Sequence, residues 1–102
     1  MTAMKLEGGR VLTHPVVIGE LACGHLRNRR EVLDSLSRLP SAPTATHADA
    51  LPFLERRALM GRGIGFVDAH LLASTGLAAP ARLWTRDRRL VAVATELDLA
   101  YE

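Results

Sequence analysis

One cysteine, one lysine, one tryptophan and one tyrosine are all that this 102-residue chain has of those residue types. Cys23 alone cannot close an internal disulfide, so cysteine usage gives no sign of an oxidising compartment. The N-terminal MTAMKLEGGR lacks the apolar run that a signal peptide or a membrane span requires, and the expected setting is the cytoplasm, with no membrane partner. No internal repeat, linker or low-complexity tract interrupts the sequence, which is expected to form one domain over residues 1–102. His14, His25, His47 and His70 make no zinc pattern, and the lone cysteine adds no second soft ligand.

What is present is arginine. Twelve of the thirteen basic residues are Arg, several as doublets such as Arg29-Arg30, Arg56-Arg57 and Arg88-Arg89. The planar guanidinium binds phosphate through two parallel donors, so a polyanionic partner fits the charge make-up better than the small net charge of +2 suggests. A genome that favours Arg codons over Lys codons explains the same bias.

The hydrophobic spacing predicts a short strand at 10–13 and a helix from Pro15 to about Leu26, capped by Thr13 or His14. A second helix, with Asn28 and Glu31 at its start, ends at Pro40. Residues 44–46 could form a short strand. A helix over much of 47–60 must accommodate Pro52, either in a first turn capped by Asp49 or at a kink. The glycines of GRGIG lead into a helix from Phe66 to about Ala79. RLWT at 82–85 reads as a strand, with Thr85 and Asp87 as cap candidates for a helix at 88–97, and LAYE as a closing strand. Trp84 reads as core. Strands separated by helices imply an α/β fold with parallel pairing. MTAMKLEGG shows no strand pattern.

Three carboxylates stand out. Glu20 lies in VVIGELACGHL and shares a helical face with Val16, Val17 and Gly24, where a hydrophobe is expected. A lone buried carboxylate costs several kcal/mol unless paired or bound to a metal, although a rotated helix would instead let Glu20 reach water. Asp68 stands in the first turn of its helix and Asp87 directly after a strand, and each alone passes for a helix-start residue. Gathered at one sheet edge, the three would make an acidic pocket needing a cation, and all-oxygen ligation suits Mg²⁺ or Mn²⁺.

The stretches THPVVIGELACGHLRNR, GRGIGFVDAHLLAS and ARLWTRDRRL, in that order, resemble the PIN-domain toxins of the VapC type, over about residues 10–102. The resemblance implies an open parallel sheet flanked by helices and a Mg²⁺- or Mn²⁺-dependent endoribonuclease. It further implies the toxin of a type II toxin–antitoxin pair, with RNA as substrate, a cognate antitoxin and a homodimer as partners. The family's catalytic and metal-binding glutamate falls on Glu20 and its two later aspartates on Asp68 and Asp87. The supporting hydroxyl falls on Thr85, and Arg27, Arg86 and Arg88 are candidate RNA contacts. The family's leading strand, which ends in an aspartate at the centre of the sheet, has no counterpart in residues 1–9. The expectation is therefore a sheet without its central strand, and either a ribonuclease or an inactive remnant that keeps only antitoxin or dimer binding. A phosphoacceptor receiver domain fits less well, because it needs a lysine beside its acidic pocket and the chain has only Lys5.

Overall fold

A computed structural model describes residues 2–101. Its elements, in order, are β1 (Thr2–Lys5), a 3-10 turn (Glu7–Gly9), β2 (Val11–Leu12), α1 (Pro15–Cys23), α2 (Arg29–Ser37), α3 (His47–Arg56), α4 (Phe66–Leu77), β3 (Arg82–Thr85) and α5 (Arg88–Glu96).

The sheet corrects the expected architecture. Among the described residues it has three strands in the order β2-β1-β3, and β1 runs antiparallel to both neighbours. Among the described residues, parallel pairing is confined to two isolated bridges, Thr13 with Ser41 and Leu83 with Ala100. The open parallel sheet with an absent first strand is therefore not what these residues form. The segment expected to be strandless supplies the central strand.

The cause is local. Residues 2–12 make a hairpin whose connection carries Gly8 and Gly9 at φ of 84° and 81°, a region that costs glycine nothing. The Leu6 N–H donates to the Arg10 carbonyl at 2.7 Å and closes the turn. A hairpin makes its two strands antiparallel, and the register Met4 opposite both Leu12 and Leu83 then stacks three apolar side chains on one face.

That face meets α4, the most buried helix, whose Ala69, Leu71, Leu72, Ala73, Ser74 and Thr75 are all inside. Met4, Leu72, Leu83, Leu90 and Val93 form the centre of the core.

Several boundaries differ from expectation for identifiable reasons. α1 stops at Cys23 because Gly24 is extended and its N–H turns back to the Leu21 carbonyl. His14 is the α1 cap, its Nδ1 accepting from the Val16 N–H at 3.1 Å. Asn28 adopts a left-handed conformation with no side-chain cap bond. Residues 44–46 are not a strand: Ser41 makes the bridge, and Thr46 caps α3 in a reciprocal pair with Asp49. Pro52 sits inside α3, which ends at Arg56 rather than near residue 60. The expected closing strand is reduced to the bridge at Ala100, and its last residue lies outside the described residues.

Candidate carboxylate site

α1 and α4 face each other across a pocket of about 430 Å³ lined by Thr2, Val17, Glu20, Leu21, Val67, Asp68 and Leu71. Two of the three expected carboxylates, Glu20 and Asp68, therefore look into one space. Glu20 is exposed rather than buried in the core: α1 turns Val17 inward and leaves Glu20 at the rim.

Asp68 is fixed more firmly. It is the third residue of α4, and its Oδ2 accepts from the Gly65 N–H at 3.2 Å. The unpaired N–H groups of a helix start favour the negative charge there. The beginning of α4 is itself clamped by rings. Phe66 packs edge-on against His47 and His70, and His47 Nδ1 lies 2.9 Å from His70 Nε2.

Asp87 does not line this pocket. It caps α5, its Oδ1 accepting from the Arg89 and Leu90 N–H groups at 2.9 and 3.2 Å. It is tied to the pocket through one hydroxyl. The Thr85 Oγ1 accepts from the Asp87 N–H at 3.2 Å and lies 2.9 Å from the Oγ1 of Thr2, a pocket wall residue. Among the described residues, no group of three or more His, Cys, Asp or Glu side chains is close enough to hold a metal ion. The donor set is thus two carboxylates with nearby threonine hydroxyls. It is all oxygen, which fits a Mg²⁺-class ion that keeps most of its water, and it does not fit a fully enclosed ion.

Arg27, Arg86 and Arg88 are all exposed. Arg27 borders a shallow groove along α2, and Arg86 lies over Trp84, its Cζ 5.8 Å from the ring centroid. Trp84 is half-buried rather than core, because strand alternation sends it to the face opposite Leu83. Thr2 is the site residue that the sequence reading missed. The available signal was the Gly-Gly pair between TAMKL and RVLT, which marks a hairpin and brings the first residues beside Thr85.

Two curated relatives carry the name Ribonuclease VapC32, from Mycobacterium tuberculosis strains CDC 1551 / Oshkosh and ATCC 25618 / H37Rv. Each is 51% identical to the chain over 87 residues, covering 85% of this chain and 70% of the relative. The chain belongs to the VapC ribonuclease family. No family model matches it, and no solved structure matches it. Among the described residues, no helix is long and apolar enough to cross a membrane.

Proposed function

We propose that this chain is the toxin of a type II toxin–antitoxin pair, an endoribonuclease that hydrolyses RNA phosphodiester bonds in the cytoplasm with Mg²⁺ or Mn²⁺. The observation that carries this reading is the shared pocket of Glu20 and Asp68, in a chain whose relatives are named ribonucleases. Glu20 and Asp68 would hold the ion, which activates water and offsets charge on the phosphate when bound. The Gly65 N–H holds Asp68 Oδ2 and so fixes this carboxylate at the start of α4, on the pocket wall. Val17, Leu21, Val67 and Leu71 make the remaining walls apolar. Asp87 and Thr85 support the site from its edge, and Arg27, Arg86 and Arg88 engage RNA phosphates. A cognate antitoxin protein and a second copy of the chain are the partners that complete this reading.

The experiment is cleavage of end-labelled RNA by the purified chain with Mn²⁺, with Mg²⁺ and with EDTA. Metal-dependent cleavage that Asp68→Asn and Glu20→Gln both abolish is the expected result. Asn can still accept from the Gly65 N–H, so the fold should survive while the charge is lost. Cleavage equal in EDTA, or undiminished in Asp68→Asn, would overturn it. A second reading, a member that binds its antitoxin or itself without cutting RNA, is favoured by the absence, among the described residues, of a third carboxylate in the group. Stable antitoxin complex formation without any metal-dependent cleavage would select it.

A further inference from the structure

Strand alternation divides β1 and β3 between two faces. Thr2 opposite Thr85 and Met4 opposite Leu83 look toward the carboxylate pocket and core; Ala3 opposite Trp84 and Lys5 opposite Arg82 look away. The second face carries cations laid on aromatic rings. Lys5 Nζ lies 4.7 Å from the Trp84 centroid and 5.4 Å from that of Tyr101, and Arg86 Cζ lies 5.8 Å from Trp84. Trp84 and Tyr101 are both half-buried, so each keeps surface available. Beyond Tyr101 the strip opens into a pocket of about 560 Å³ that includes Lys5 and Arg82. Glu7 and Asp98 also line it, but the Asp98 carboxylate is taken by Arg82 at 3.0 Å.

We propose that this face is a track for single-stranded RNA, running from the carboxylate pocket over Arg86 and Trp84 to Lys5 and Tyr101. The inference rests on the reading of the chain as RNA-directed and adds a path for the strand beyond the reacting bond. Continuity supports it. Thr85, in contact with the pocket wall residue Thr2, is the last residue of β3, and Arg86 just beyond it lies over Trp84, so the pocket side and the ring-bearing face meet around the end of this strand. The chemistry selects RNA over a protein partner. Aromatic surfaces flanked by Lys and Arg accept any base by stacking and any phosphate by charge, the combination that sequence-tolerant single-strand binding uses.

Trp84 is the single tryptophan, so its emission reports on the track directly. The measurement is a titration of the chain, in EDTA, with a 2′-O-methyl oligoribonucleotide that cannot be cleaved, following Trp84 fluorescence and the anisotropy of a labelled copy. Expected are saturable quenching, weakening with added salt, and a loss of affinity of about tenfold or more in the Lys5→Ala/Arg86→Ala double variant. Circular dichroism of that variant should match the parent. RNA binding that leaves Trp84 emission unchanged, or equal affinity in the double variant, would overturn the proposal, as would no RNA binding. Quenching by poly-glutamate but not by RNA would assign the face to an acidic protein segment instead. Failure of the nuclease reading is distinguishable: quenching by RNA would persist while no cleavage occurred with any metal.

Discussion

His14 joins three segments through one ring. It is fully buried, its Nδ1 accepts from the Val16 N–H, and its Nε2 lies 3.0 Å from the Ser74 Oγ, which also accepts from the Ala45 N–H. Because Nδ1 accepts, the ring proton sits on Nε2 and His14 donates to Ser74. Burial, and then the charge of His70, hold this imidazole below its usual range. The unfolded chain therefore takes up a proton that the folded chain refuses. The resulting stability is complete above the ordinary imidazole pKa of about 6.5 and declines as pH falls below it. The melting temperature is expected to drop between pH 7 and 5, and thermal melts of His14→Asn should show a shallower slope. His14→Ala should cost about 1–3 kcal/mol at neutral pH in urea unfolding, since it leaves Ser74 and the α1 start short of a partner. Asp87 offers a second residue-level test. If capping is its main work, Asp87→Ala should cost about 1 kcal/mol and Asp87→Ser only a few tenths. Should Asp87→Ser keep stability yet lose RNA cleavage, the carboxylate serves the site as well as the helix.

At the scale of elements, what could be read from the sequence was whatever carried its own local signal. Pro15 after the cap candidates Thr13 and His14, Asp87 before RRLVAVATE, and Phe66 after GRGIG placed the starts of α1, α5 and α4, because caps and helix starters act within one turn. Asp68 was legible for the same reason, and so was RLWT as a strand. β1 was not. Four residues are too few to display a period of two, Ala and Met carry little strand propensity, and Ala3 and Met4 are both buried, Met4 in the core and Ala3 beside Trp84, so no apolar-polar alternation marks the strand. Its pairing depends on β3, some eighty residues away, which no local pattern encodes. Glu20 stayed open between a core position and one that reaches water for a related reason: the apolar run around it is broad, and only tertiary packing decides which side of α1 faces inward. The loop before α4 contains a position where substitution should be felt. Gly63 has φ of 79°, and an added Cβ would stand 2.7 Å from the Arg89 side chain. Arg89 can swing aside, so the backbone sets the cost, and Gly63→Ala should lower stability by roughly 1–2 kcal/mol in denaturant titrations.

On the scale of the whole molecule, the sheet is held together by its first strand. β2 touches β3 nowhere in the strand order, so β1 alone connects them. Met4 is completely buried between Leu12 and Leu83, and Met4→Ala is expected to cost about 2–5 kcal/mol in equilibrium unfolding. Deleting residues 1–6 should leave a chain without a cooperative thermal transition, because β2 and β3 would both lose their partner. Retention of a sharp transition by that deletion would show that the helices alone sustain the core. The position of β1 also sets a schedule during synthesis. Its hairpin with β2 can close as soon as residue 12 is free, yet its other edge waits for residues 82–85. At ordinary elongation speeds that is a wait of roughly 4–15 s, through which Glu20 has emerged and α4 can pack on α3 while its contact with β3 is still missing. The pocket walled by Thr2, Glu20 and Asp68 therefore assembles last, because the strand that pairs with Thr2 comes after both carboxylates in the order of synthesis.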